Sequence, residues 1–177
     1  MPSSLSFSTM PSEGSCDVTA KTHELTFNGG LLERGFWLYV WEITTPQDTH
    51  LYYVGRTGDS SSIKAQSPFN RMGQHLGFNK HANPLRRYLN AEDVNPERCL
   101  FRLVTYGPIL EEAATLEEHR QRRDRTGAIE KALAAAMVSA GYRVINAVNC
   151  RTKLDAKLFA SVRRAFASYF EQLVGVA

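Results

Sequence analysis

The chain opens its ordered pattern at Phe36-Trp37-Leu38-Tyr39-Val40-Trp41-Glu42-Ile43, a nearly unbroken run of aromatic and β-branched residues. That composition predicts a buried strand. Thr44 to Thr49 carries turn chemistry, with Pro46 and Asp48 inside it, and His50 to Val54 predicts a second strand, so the pair reads as a β-hairpin. Gly58-Asp59-Ser60-Ser61-Ser62 reads as a flexible polar loop. Ser67-Pro68 then supplies an N-cap and a proline at the first helical position. In the short helix that follows, Phe69, Met72 and Leu76 form the predicted buried stripe, and Gly77 ends it. Asn83-Pro84 repeats the start signal for a second short helix through Leu89.

Cys99 to Tyr106 predicts a third strand. Two helical segments are expected after it, about 110–125 and 126–140, the second with Ile129, Leu133, Met137 and Ala140 inward. Tyr142 to Val148 suits a short edge segment. Residues 153–173 form a basic amphipathic helix whose stripe of Leu158, Val162, Phe166 and Phe170 reads as core. The order β-β-α-α-β-α-α, with antiparallel pairing first, predicts an α+β fold: a small, mainly antiparallel three-stranded sheet flanked by helices, with a C-terminal helical extension. The expected division is a weakly ordered lead-in at 1–24, a compact domain at 25–150, and a basic helix within 151–177 packed on that domain.

With 177 residues, 43% of them hydrophobic and 22% charged, the chain has the make-up of a globular domain that buries a proper core. No apolar stretch approaches the roughly 20 residues that cross a bilayer, and the basic-then-apolar order of a signal peptide is missing, so a cytoplasmic protein is expected. Cys16, Cys99 and Cys150 are too dispersed for a disulfide framework or a zinc site. The net charge of +3 says little, but its distribution says more. Between Asp59 and Glu92 the only charged side chains are Lys64, Arg71, Lys80, Arg86 and Arg87. From Tyr142 to Phe170 the bases Arg143, Arg151, Lys153, Lys157, Arg163 and Arg164 meet a single acid, Asp155. Two such blocks suit a one-sided positive surface that attracts phosphate backbones, although solvated helix faces give the same pattern.

Gly-rich phosphate loops, HExxH, GxSxG, clustered Cys/His and Asp-rich metal clusters are all missing from the sequence. What remains is a set of tyrosines, one arginine, one histidine and one glutamate. Tyr39 and Tyr53 reach one end of the same sheet if the hairpin forms, although a buried tyrosine also serves as plain core. Arg71 and His75 lie four apart on one helix face, and the apolar stripe opposite directs both away from the core. Arg71 suits a phosphate clamp, and His75 a proton carrier. Glu130 flanks the buried stripe of an alanine-rich helix, so its carboxylate is expected at the rim, in chemistry or in a pair with Lys131 or Arg125.

Trp37-Leu38-Tyr39 and Tyr53-Val54-Gly55 resemble the paired tripeptides that name the GIY-YIG nuclease superfamily. Arg71-Met72-Gly73-Gln74-His75 is similar to its R-x-x-x-H helix. Glu130 and Asn146 resemble its metal-binding glutamate and the asparagine that closes the domain. The likeness spans about residues 36 to 149, with Trp37 in place of the usual first glycine and a longer segment before Arg71.

The resemblance implies a metal-dependent endonuclease that hydrolyses DNA phosphodiester bonds. Its catalytic set is Tyr39, Tyr53, Arg71, His75, Glu130 and Asn146, with Glu130 as the ligand of one Mg²⁺ (or Mn²⁺) and no small-molecule cofactor. Arg71 steadies the transition state. Tyr39 takes the proton from the attacking water, assisted by His75 or Tyr53, and that role calls for a strong depression of its pKa. DNA contacts are expected from Arg56, Lys80, His81, Arg86 and Arg87. Cutting both strands calls for a homodimer or two successive events. The rival expectations are an RNA-directed nuclease and an inert nucleic-acid-binding protein with the same fold.

Overall fold

A computed structural model describes residues 20–60, 62–79 and 83–175. Lys80 and His81, expected to touch DNA, and Cys16 lie outside them. So does most of the 1–24 lead-in. The three strands are β1 (Phe36–Thr44), β2 (His50–Arg56) and β3 (Leu100–Leu110). They pair antiparallel in the order β2-β1-β3. The four helices are α1 (Pro68–Leu76), α2 (Pro84–Ala91), α3 (Leu116–Ser139) and α4 (Ala156–Ala167). The fold is the α+β arrangement that the element order predicts, a small antiparallel sheet flanked by helices.

β1 is unbroken in hydrophobicity because it is the central strand with a layer on each face. Leu38 and Val40 point into a core with Val54, Ile129, Leu133, Met137, Val162 and Phe166, which belongs to α3 and α4. The alternate residues Tyr39, Trp41 and Ile43 join Leu51, Tyr53, Leu85 and Leu89 on the opposite face, under α1 and α2. Each aliphatic side chain fully buried in this way contributes about 1.5–3 kcal/mol of hydrophobic stabilisation. The C-terminal helix is therefore structural on the face predicted for it, with Val162 and Phe166 fully buried.

The larger differences from expectation lie in β3, α3 and the C-terminal helix. β3 runs on through Gly107-Pro108 to Leu110, with a register shift opposite Phe36 and Leu38; a bulge lets the strand pass a pair that reads as a terminator. The two helices expected over 110–140 are one, α3, begun by the Thr115 side chain accepting from Glu118 N–H. The basic C-terminal helix is shorter than 153–173: α4 ends at Ala167, and a 3-10 turn at Glu171–Gly175 follows. The segment expected at Tyr142–Val148 contributes a bridge between Tyr52 and Val144 on the free edge of β2.

Asn146 completes that edge. Its amide accepts from Val54 N–H at 2.9 Å and donates to Val54 C=O at 2.8 Å, so one side chain takes the place of a strand. Neighbouring backbone bonds, Tyr52 N–H to Arg143 and Ile145 N–H to Tyr52, run along the same edge. With both ends of its amide on the backbone of β2, Asn146 holds the strand that carries Tyr53.

Candidate active site at one end of the sheet

The hairpin register sets Tyr39 opposite Gly55 and Trp41 opposite Tyr53. Tyr39 and Tyr53 are thus diagonal neighbours on one face. Gly55 has to be glycine, because a Cβ there would lie 2.3 Å from Cε2 of Tyr39. The tyrosine ring lies across the bare backbone of the next strand, a close approach that only glycine permits.

α1 lies over this face, with Met72 and Leu76 of the expected stripe packed against it. Phe69, predicted to be core with them, is 36% exposed and packs against Phe27, while His75, predicted to point away, is fully buried. The sheet surface beneath α1 offers tyrosine edges and a hydroxyl as well as apolar area, so a polar ring that hydrogen-bonds there is buried at little cost. Nε2 of His75 lies 2.6 Å from the Tyr39 hydroxyl. Its ring also meets Tyr53 edge-on, with centroids 5.1 Å apart. The Tyr39 hydroxyl donates to the Arg56 carbonyl at 3.1 Å, and Nδ1 of His75 is buried without a partner. Arg71, one turn earlier on α1, is held by Gln74 and Asp59, each at 2.9 Å.

Glu130 comes from the opposite layer. Its expected partners are engaged elsewhere: Lys131 donates to the Cys150 carbonyl, and Arg125 pairs with Asp155. Arg56, the last residue of β2, reaches α3 instead and places Nε 2.8 Å from Oε2 of Glu130. It also donates to the Arg123 carbonyl. The guanidinium passes so close to Gly127 that a Cβ there would lie 3.0 Å from Nη1. A glycine in the middle of a long helix is explained by that passage.

Arg56, expected among the DNA contacts, is thereby held at Glu130 within the candidate site. Arg86 is also engaged, donating to the Leu76 carbonyl, pairing with Glu97 at 2.7 Å and stacking on Phe78. Arg87 is exposed, as are Arg151, Lys153, Lys157 and Arg164.

Burial governs the electrostatics. It pushes the Tyr39 hydroxyl above its ordinary range, outweighing the opposite pull of Arg71. The depression expected of a tyrosine base is therefore not present in the free protein. Tyr53 is raised as well, by burial and then by the neighbouring Tyr39. His75 is lowered to about 3 by burial and by Arg71, so it is a neutral imidazole at physiological pH. Glu130 is raised to about 7 by burial, against the attraction of Arg56.

Asp59 is the residue that sequence reasoning missed, placed there in a flexible loop. Its charge acts on both Tyr39 and Glu130, so it belongs to the same centre. The signal was present: Asp59 is the last acid before the acid-free stretch that contains Arg71. Among the described residues no three His, Cys, Asp or Glu side chains gather as a ready metal cage, and no helix is long and apolar enough to cross a membrane.

No protein-family model matches the chain, and neither a curated protein nor a solved structure does. Whatever the site does must be argued from its own geometry.

Proposed function

We propose that the chain is a GIY-YIG-type, metal-dependent endonuclease that hydrolyses phosphodiester bonds in DNA. One observation carries the reading: the Tyr39 hydroxyl bonded to His75, on the face shared with Tyr53 and within the electrostatic reach of Arg71 and Glu130. These side chains come from β1, β2, α1 and α3, and their convergence at one end of a small sheet suits a chemical role better than four independent structural ones.

The residues fit a hard divalent cation. The donors are carboxylate oxygens alone, and Mg²⁺ is ordinarily held by one or two carboxylates, waters and substrate phosphate. Glu130 would be the ligand: Oε2 is on Arg56, and Oε1 accepts no hydrogen bond among the described residues. When bound, the ion supplies charge against the phosphate and a more acidic water.

The chain's own groups account for the rest. Arg71 offers a guanidinium to the non-bridging phosphate oxygens. Tyr39 removes a proton from the attacking water as its own hydroxyl proton, turned from the Arg56 carbonyl, passes to the unprotonated Nε2 of an Nδ1–H imidazole at His75. The direct contact favours His75 over Tyr53 as the partner of Tyr39, since Tyr53 meets the histidine through its ring. Arrival of an anionic phosphate offsets the influence of Arg71 and makes His75 a better base. Flanking phosphates would be drawn to Arg87 and to Arg151, Lys153, Lys157 and Arg164.

Supercoiled plasmid incubated with the protein and Mg²⁺, with EDTA, and with Glu130→Ala or Arg71→Ala in parallel tests the proposal. Nicks or cuts are expected only from the unaltered protein with metal. Plasmid bound tightly but left intact with every divalent ion would replace the nuclease with an inert binder.

A further inference from the structure

Arg71 is only half satisfied. Nη1 donates to Oε1 of Gln74 and Nη2 to Oδ2 of Asp59, each at 2.9 Å, while Nε is buried with no hydrogen-bond partner. A planar guanidinium presents Nε and Nη2 along one edge, spaced for two oxygens of a single oxyanion. Here Asp59 takes one donation from Nη2, and Nε is left over. A buried N–H without a partner is costly, so the unused Nε points to a ligand that completes the edge.

Asp59 is held where it stands by its loop. Gly58 has a positive φ of 75° and lies so close to Phe36 that a Cβ would meet the ring at 2.4 Å. On the other side, Nε2 of the buried His119 donates to the Ser60 carbonyl at 3.0 Å. Between these two anchors the Asp59 side chain is 40% exposed, against 18% for Arg71. A rotation about its own bonds takes the carboxylate into solvent without any movement of the loop.

We propose that Asp59 is an internal surrogate for the substrate phosphate: in the free protein its carboxylate takes Nη2 of Arg71 and keeps the guanidinium aligned, and a phosphodiester displaces it by bringing two oxygens to Nε and Nη2. The inference rests on the reading of Arg71 as the phosphate clamp. It makes Asp59 a positioning residue and a threshold for entry. Anions that offer one weak acceptor leave it in place, and tetrahedral oxyanions with two strong acceptors exchange with it.

The test is a calorimetric titration with inorganic phosphate in EDTA, so that no cleavage enters the readout. Asp59→Asn is expected to bind phosphate about threefold to tenfold more tightly than the unaltered protein, the range that loss of a partly exposed competing ion pair allows. Asp93→Asn removes an exposed acid elsewhere and controls for overall charge. Arg71→Lys in the Asp59→Asn background keeps the charge but not the two-donor edge, and is expected to abolish the gain. An affinity unchanged or weakened in Asp59→Asn, an equal gain in Asp93→Asn, or a gain that survives Arg71→Lys overturns the proposal. Failure of the nuclease reading appears separately, as intact plasmid with Mg²⁺.

Discussion

The Tyr39 hydroxyl lies 2.6 Å from Nε2 of His75, and neither side chain is exposed to solvent by more than 2%. The phenol also reaches the Arg56 carbonyl at 3.1 Å, so which member of the pair donates follows the imidazole tautomer, and the imidazole's other nitrogen has no partner. The contact leaves no room for water between the two groups.

Replacing Tyr39 with Phe keeps the ring over Gly55 and removes the hydroxyl's contacts to His75 and to the Arg56 carbonyl. DNA cleavage should fall by roughly a hundredfold or more, the usual contribution of a positioned proton carrier, while the thermal transition falls by only a few degrees, from the buried partner left unpaired. Single-turnover cleavage of plasmid reads the first effect and calorimetry the second. Near-full activity in Tyr39→Phe would end the assignment.

His75 makes the fold sensitive to acid. Its pKa falls from an ordinary 6.5 to about 3 on folding, so below 6.5 the unfolded chain takes up a proton that the folded one refuses. Stability from this group is present above 6.5 and is lost as pH falls toward 3. Between neutrality and about pH 5 the loss amounts to about 2 kcal/mol. Urea unfolding at both pH values should show that difference shrinking in His75→Gln; parallel pH slopes for the two proteins would contradict it.

Glu130 works in the opposite direction. With its carboxyl raised to about 7, it is largely protonated in mildly acidic solution, and a cation must displace that proton. Mn²⁺ affinity, followed by electron paramagnetic resonance, should weaken about tenfold for each pH unit below the carboxyl's pKa. Glu130→Gln should remove both the binding and its pH dependence. An affinity that is flat across this range would show that the ion, if bound, is held elsewhere.

Gly55→Ala tests the packing that supports the site. The added methyl would collide with the Tyr39 ring at 2.3 Å, which forces ring or strand to shift and destabilises the protein by about 1–3 kcal/mol. Cleavage should fall further than in a surface variant of equal stability, because the shift moves the hydroxyl off His75. A thermal melt and a cleavage assay on the same sample suffice, and an unchanged melt would mean that the ring has room to yield.

Much of this architecture was legible in the chain. The run from Phe36 to Ile43 declares a strand covered on both faces, and Ser67-Pro68 marks the start of α1, where the Ser67 side chain accepts from Asn70 N–H. Leu158, Val162, Phe166 and Phe170 mark the packed face of the C-terminal helix. These features rest on local composition and on the periods of helix and strand, which a sequence displays directly.

The burial of His75 was not legible. The apolar stripe of α1 placed Met72 and Leu76 inward, where they are, but it also argued for Phe69 inward and His75 outward; the surface beneath carries the Tyr39 hydroxyl that meets His75. Nor was the pairing of Glu130 with Arg56 legible, since charges adjacent in sequence were the obvious partners and the actual one arrives with the packing of β2 on α3. The same holds for Gly127, which reads as a weak point in a helix until a guanidinium is seen lying on it. The elements, their order and the residue types available for chemistry follow from near neighbours along the chain. Which side chains meet and which charge is suppressed follow from the packed fold. Those depend on burial and on distances between segments that no local pattern records.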